Sequence, residues 1–103
     1  MKVIVTAVFH PVAGRSAELA TAMRAGIEAV HAEPGCELYA IHDAEDGTIT
    51  MIEKWASRAD LDAHAKGSAA ATLLTSIEGL IAAPTVVTLM APIPMGEPER
   101  GAL

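Results

Sequence analysis

The chain has 103 residues, of which 51% are apolar and 3% aromatic, and 13 acidic against 7 basic side chains give it a net charge of −6. This length predicts one domain over residues 1–103, and an acidic chain without a basic cluster argues against nucleic acid and against an anionic membrane surface as partners. The single cysteine, Cys36, has no partner for an internal disulfide, and no apolar run approaches the roughly 18 residues of a membrane-spanning helix. We therefore predict a cytoplasmic protein.

The first two predicted elements are a strand and a helix. Val3–His10 is rich in β-branched residues and ends at Pro11, which is typical of a strand followed by a turn. A helix is then predicted from Ser16, the expected N-cap, to no further than Glu33, because Pro34 disfavours helical backbone in the residue before it. The apolar residues that recur at helical spacing in this segment are Leu19, Met23, Ile27 and Val30.

The remaining elements are predicted from alternation, turn signals and capping residues. The predicted strands are Cys36–Asp43, Thr48–Trp55 and Thr85–Ala91, the last of which follows Pro84. Ser57 opens a short helix that Gly67 closes, and Ser68 caps another helix whose apolar residues extend to Ile81. Residues 92–103 are rich in proline and show no periodicity, which predicts an extended C-terminal arm.

The element order β-α-β-β-α-β, with the second helical region broken at residues 67–68, is typical of the ferredoxin-like α+β fold. In that fold a four-stranded antiparallel sheet carries its helices on one face. Here both faces are apolar: in the first strand Val5 and Ala7 point one way, and Ile4 and Val8 point the other. Since helices cover only one face, the pattern predicts a two-fold homodimer whose C-terminal arms embrace the partner.

Strong catalytic signatures are absent from the sequence. There is no phosphate loop, nucleophile elbow or CxxC motif, and the four histidines lack metal-ligand spacing, so no metal is expected. What remains is a group formed by Glu53 and Trp55, which share a face of their strand, and His64, about two turns along the following helix. The alternative interpretation is structural: a core or dimer anchor, an ion pair across the sheet and an exposed helical histidine.

The register of the central hairpin decides which further residue joins this group. A two-residue Asp46–Gly47 turn puts Leu38, Ala40 and His42 on the Trp55 face, whereas a three-residue loop puts Tyr39 there instead. Both Tyr39 and His42 are therefore candidate substrate-binding residues.

Three segments together resemble a known family. They are Glu33–Tyr39 (EPGCELY), Met51–Ser57 (MIEKWAS) and Leu61–His64 (LDAH). In this order and spacing they resemble the antibiotic biosynthesis monooxygenases, and in particular the small stand-alone quinol monooxygenase type. The resemblance implies a dimeric α+β barrel that oxygenates phenolic or quinol-type aromatics with O2, without a metal or another cofactor.

The resemblance also implies roles for the candidate residues. His64 is expected to be the base that removes a phenol proton, because an imidazole changes charge near neutral pH. Trp55 and Tyr39 are expected to line the cleft, and Glu53 to orient either His64 or a substrate hydroxyl. The function so implied is cofactor-independent monooxygenation of a hydroxylated aromatic such as a quinol or an anthrone.

Four positions depart from better-known branches of that family. Met51 and Leu61 stand where polyketide-tailoring members have asparagine and tyrosine, and Ala69 replaces the second histidine of the quinol-oxidising type. Leu74 stands where haem-degrading members place an iron-binding histidine. The alternatives are a non-catalytic dimeric ligand-binding module, or an isomerase or degrader of a small signal molecule on the same fold.

Overall fold

A computed structural model describes all 103 residues of the chain. The strands are β1 (Val3–Pro11), β2 (Cys36–Asp43), β3 (Ile49–Trp55) and β4 (Ile81–Met90), and the helices are α1 (Ser16–His31), α2 (Arg58–Ala65) and α3 (Ser68–Ser76). The four strands form one antiparallel sheet in the order β2-β3-β1-β4. The predicted ferredoxin-like α+β fold is confirmed.

Only one of the three predicted helix caps forms. Ser57 caps α2, since its Oγ accepts a hydrogen bond from the backbone N–H of Asp60 at 3.1 Å. Ser16 and Ser68 are instead the first residues inside α1 and α3, whose N-cap positions carry no side-chain bond. A serine inside the helix has helical backbone angles, which do not direct its hydroxyl to the free N–H groups of the first turn.

The predicted extension of the last helix to Ile81 is wrong. Helix α3 ends at Ser76, Gly79 adopts a φ of +78° that breaks the helix, and Ile81 opens β4. Strand β4 also contains Pro84, so it begins before the predicted Thr85. Pro84 lies in edge strand β4 where the β1–β4 register shifts, between the pairs Val8–Val86 and His10–Ala83, and a proline is tolerated at such an irregular position of an edge strand.

The central hairpin has the three-residue loop. The N–H of Ala44 donates to the carbonyl of Thr48 at 2.9 Å, so residues 45–47 form the connection. Gly47 supplies the left-handed residue that such a loop needs, with φ +89°.

This register decides which side chains of β2 lie on each face of the sheet. Tyr39 pairs with Glu53, and therefore lies on the face of the sheet that carries Glu53 and Trp55. His42 pairs with Thr50 and lies on the opposite face, where it is exposed and bonds the carbonyl of Thr50 through Nδ1 at 3.1 Å.

The hydrophobic core lies between the helices and one face of the sheet. Strand residues of this face, among them Val5, Phe9 and Met51, join the buried side chains of α1 and α3 in one cluster. On the opposite face Ile4 is buried outside that cluster, and Val86 remains 55% exposed. We call this opposite side, which no helix covers, the open face.

None of the three helices has the length and apolar character that a bilayer span requires. Residues 91–103 contain no helix or strand, and Ile93 and Met95 stand exposed there.

Candidate functional site

The rings of Trp55 and His64 meet at the centre of the candidate site. Trp55 ends β3, and the cap at Ser57 turns the chain into α2, whose buried side chains are Leu61 and, one turn later, His64. The imidazole lies against the indole with ring centroids 4.6 Å apart and planes tilted by 32°. Helix α2 therefore folds back over the strand that it follows.

Glu53 is a buried carboxyl group held by the same indole. Its Oε1 accepts a hydrogen bond from Trp55 Nε1 at 2.9 Å, and the residue is only 6% exposed. Burial raises the pKa of Glu53 above its ordinary value of 4.5, and the bond from Trp55 and the proximity of His64 offset only part of that rise. Glu53 thus keeps its proton more readily than an exposed glutamate does.

Tyr39 completes an aromatic cluster around the imidazole. Its ring centroid lies 5.5 Å from that of His64 and 6.4 Å from that of Trp55, both in edge-on geometry. Burial raises the pKa of the Tyr39 phenol, and the negative charges of Glu53 and Glu33 raise it further. The phenol is therefore a hydrogen-bond donor at neutral pH.

Glu33 is a residue of the site that the sequence interpretation missed. Its Oε1 lies 2.6 Å from His64 Nδ1, in a contact between side chains 31 positions apart. His64 and Glu33 side chains are 9% and 21% exposed, so the pair is largely shielded from water. The sequence did contain a signal for Glu33, because it is the first residue of the EPGC segment that carries the family resemblance. The sequence interpretation nevertheless assigned the orientation of His64 to Glu53.

The turn that carries Glu33 is fixed against α2 by its glycine. Gly35 has φ +79°, and a β-carbon there would overlap the carboxylate of Asp60 in the first turn of α2. The carbonyl of Gly35 also accepts a hydrogen bond from the N–H of Ala56 at 2.9 Å. These contacts attach the turn to the start of α2, and from this turn the Glu33 side chain contacts His64 in the last turn of the same helix.

A cavity of about 390 Å³, within the size range of small-molecule sites, opens beside this cluster between the sheet and helices α2 and α3. Its polar wall includes Tyr39, Glu53 and His64. Its apolar wall includes Val5, Ala7, Phe9, Leu61, Leu73, Leu74, Val87 and Leu89. The rim carries an ion pair between Arg58 and Asp62, with Nε and Oδ1 3.0 Å apart.

Three polar atoms of the residues that line the cavity have no hydrogen-bond partner in the chain. They are Nε2 of His64, the second carboxyl oxygen of Glu53 and the hydroxyl of Tyr39. No fully buried side-chain nitrogen or oxygen lacks a partner, so these three atoms must be accessible to solvent. A ligand in the cavity could therefore meet an imidazole nitrogen, a carboxyl oxygen and a phenol.

Two predicted substrate-binding residues lie elsewhere than expected. His42 is on the open face because of the three-residue hairpin loop, so it does not line the cavity. Trp55 is fully buried and is not part of the cavity wall either, since His64 and Glu53 stand between its ring and the cavity. The indole positions these two side chains instead of forming the cleft surface.

No group of three or more His, Cys, Asp or Glu side chains is arranged to hold a metal ion.

One protein family matches most of the chain. The pattern that defines the antibiotic biosynthesis monooxygenase family matches residues 2–74. No protein with a curated description matches the chain.

Several solved structures share the fold. The chain is similar to Rv0793 from Mycobacterium tuberculosis, with 28% identity and a TM-score of 0.82, over 94% of this chain and 100% of that one. It also resembles a candidate antibiotic biosynthesis monooxygenase from Nitrosomonas europaea, with 18% identity and a TM-score of 0.82, over 92% and 94% of the two chains. A third similar structure is PA3566 from Pseudomonas aeruginosa, with 21% identity and a TM-score of 0.77, over 89% and 94%.

Proposed function

Since the chain belongs to the antibiotic biosynthesis monooxygenase family, we propose that it oxygenates a hydroxylated aromatic, of the quinol or anthrone type, with O2 and without a bound cofactor. The observation that carries the proposal is the cavity itself. It is a largely apolar space in which an imidazole, a carboxyl and a phenol each present an atom without a partner.

The chemistry requires a base in a site that is poor in water. Triplet O2 reacts slowly with closed-shell molecules, so the substrate must first become a strong electron donor, which loss of a phenolic proton achieves. With anthrone, His64 Nε2 takes the hydroxyl proton of the enol form, and the O–H electron pair stays on the ring system. The resulting anion gives one electron to O2, and the two radicals combine to form a C–O bond.

The remaining steps balance without an external reductant. The peroxide formed on the ring carbon takes up a proton, its O–O bond breaks, and the C–H proton leaves with the departing oxygen as water. Anthrone and O2 are thus converted into anthraquinone and water, with one oxygen atom in each product. His64, protonated in the first step, returns its proton to the peroxide.

Each polar residue of the cavity has a separate task in this proposal. Glu53 holds a substrate hydroxyl, because its free carboxyl oxygen is accessible while the other is held by Trp55. Tyr39 donates a hydrogen bond to a second ring oxygen. The apolar wall accepts the flat ring and excludes water, which strengthens these interactions.

The test is oxygen uptake by the purified protein with anthrone as substrate. We expect uptake above the rate in buffer, and a loss of about 100-fold or more in kcat/KM in His64→Ala, since a positioned base contributes about 10²–10⁴-fold. His42→Ala, a histidine on the open face, is the matched control and should remain within about twofold of the native chain. Uptake no faster than in buffer, with anthrone nevertheless quenching Trp55 fluorescence on binding, would instead identify a non-catalytic ligand-binding module.

We further propose that the protein acts as a cytoplasmic homodimer, with the open face as the contact between two copies. Val86 and Met90 on this face are 55% and 40% exposed in the single chain, beside half-buried Val8 and Ile52. Several exposed apolar side chains on one face of a sheet are costly to leave in water. The apolar side chains of the C-terminal arm, Ile93 and Met95, would extend the same contact.

A further inference from the structure

The strongest contact of the candidate base is with Glu33, a residue for which the family resemblance implied no role. The 2.6 Å separation between Glu33 Oε1 and His64 Nδ1 is that of a charge-assisted hydrogen bond. A carboxylate only accepts hydrogen bonds, so Nδ1 must be the nitrogen that carries the proton.

We propose that Glu33 is the positioning residue of the site, and this inference rests on the proposed function of His64 as a base. By holding the proton on Nδ1, Glu33 keeps Nε2 unprotonated in the neutral ring. Nε2 is the nitrogen without a partner in the chain, and His64 is part of the cavity wall. Glu33 thereby selects the tautomer that accepts a proton from a ligand.

The same carboxylate stabilises the charge that the reaction creates. When Nε2 takes a substrate proton, the ring becomes an imidazolium next to Glu33, at a site from which water is largely excluded. His64 also lies in the last turn of α2, where the helix dipole favours a positive charge. An exposed histidine in the middle of a helix, without a carboxylate partner, has neither effect.

The fold keeps the Glu33 carboxylate in place from two sides. The turn that carries it is attached to the start of α2 through Gly35, as described above. On the other side a β-carbon at Gly67 would lie 3.1 Å from Glu33 Oε2, closer than side chains normally pack. The glycine that ends α2 therefore makes room for the second carboxylate oxygen.

Glu53 cannot supply this function in the structure. Its Oε1 is bound to Trp55 Nε1, and no hydrogen bond joins it to His64. Of the two roles expected for Glu53, orientation of His64 therefore passes to Glu33, and contact with a substrate hydroxyl remains.

The decisive measurement is the imidazole tautomer of His64, read from ¹⁵N chemical shifts of histidine-labelled protein at a pH where the ring is neutral. His64→Gln identifies the signal by its loss. We expect the proton on Nδ1 in the native chain, and a shift towards the Nε2–H tautomer in Glu33→Ala. Glu33→Gln should retain the native tautomer, because its amide oxygen still accepts the bond from Nδ1.

The kinetic readout separates positioning from a purely structural role. With anthrone, Glu33→Ala should lower kcat by about 10–100-fold and change KM less than about threefold. Glu33→Gln, which keeps the orientation and loses the charge, should lie between Glu33→Ala and the native chain. Glu28→Ala, an exposed glutamate on α1, is the control and should change neither the tautomer nor kcat.

The outcomes distinguish this inference from the proposed function. A native His64 with its proton on Nε2, or a Glu33→Ala protein with native tautomer and native kcat, overturns the role of Glu33. If His64→Ala abolishes oxygen uptake and Glu33→Ala does not, the proposed function stands and the inference fails. If no variant consumes oxygen but the tautomer responds to Glu33→Ala, the positioning is correct and the reaction is not oxygenation of anthrone.

Discussion

The buried carboxyl of Glu53 couples the candidate site to the stability of the protein. It lies in the core-facing layer of the sheet, where Trp55, Tyr39 and His64 surround it. Only Trp55 donates a hydrogen bond to it, so burial dominates and raises the pKa of Glu53. Such a group favours the folded state more when it is protonated than when it is charged.

Glu53→Gln should therefore stabilise the chain relative to the native sequence at pH 8, and by less at pH 5. The native state binds the Glu53 proton more tightly than the unfolded state, whose pKa stays near 4.5. As the pH rises from about 4.5 through the raised pKa of the folded state, the native sequence loses stability relative to the variant, with a slope of at most about 1.4 kcal/mol per pH unit. Urea unfolding at several pH values measures the difference.

The comparison for this measurement is Glu45→Gln, the same substitution at an exposed residue of the hairpin loop. A stability difference between Glu53→Gln and the native chain that is constant with pH, or larger at pH 5, contradicts a raised pKa at Glu53.

At the scale of elements, the contact between α1 and α3 determines the position of α3, which forms one side of the cavity. Gly26 on α1 faces Leu73 on α3, and a β-carbon at Gly26 would lie 2.7 Å from Leu73 Cβ and 3.0 Å from its Cα. The two helices approach this closely only because residue 26 has no side chain. Leu73 also lines the cavity, so the spacing of the helices is linked to the shape of the site.

Gly26→Ala should destabilise the protein by about 1–3 kcal/mol, the usual cost of inserting a methyl group into a closed contact. Helix propensity alone predicts the opposite sign, a gain of up to about 1 kcal/mol. Thermal or urea unfolding decides between them, with Glu28→Ala on the exposed side of α1 as a control that should stay within about 0.5 kcal/mol. A more stable Gly26→Ala protein would show that moving the helices apart costs less free energy than the gain in helix propensity.

At the scale of the molecule, the sheet has more apolar surface than its own helices cover. The open face carries apolar side chains from every strand, and two threonines, Thr6 and Thr88, pair with each other across β1 and β4 within it. Strand β4 is exposed on both sides, because its core-facing Val87 and Leu89 border the cavity and remain 56% and 42% exposed. A partner copy is the proposed cover for the open face.

A lysine at the centre of the open face should separate the proposed dimer. Thr6→Lys places a charge in the contact, where it would be desolvated without a partner, whereas in a monomer the same residue would reach solvent. Sedimentation equilibrium should give a dimer mass for the native chain and a monomer mass for Thr6→Lys, with folding checked by circular dichroism.

The control is Ala25→Lys on the exposed side of α1, and this variant should remain a dimer. A native chain that sediments as a monomer at all accessible concentrations, or a Thr6→Lys protein that remains dimeric, contradicts the proposed contact.

The sequence by itself was sufficient for the order of elements and the fold class, and it offered the approach of His64 to Trp55 as one of two interpretations. These depend on local signals: alternation in the strands, helical spacing of apolar residues, and a cap at Ser57 that sends the chain back over its own strand. The family resemblance likewise depended on short segments of neighbouring residues. Such signals are carried by neighbours in the chain and do not require long-range contacts.

Tertiary structure alone decided on which face of the sheet Tyr39 and His42 lie, where β4 begins and which side chain contacts His64. A change of one residue in the hairpin loop reverses every side chain of β2, and nothing local distinguishes the two registers strongly. Leu80 and Ile81 suit a helix or an edge strand equally well until β1 offers a pairing surface. Glu33 and His64 lie 31 residues apart, and their contact exists only once the turn before β2 and the helix after β3, which meet at one end of the β2–β3 hairpin, have packed together.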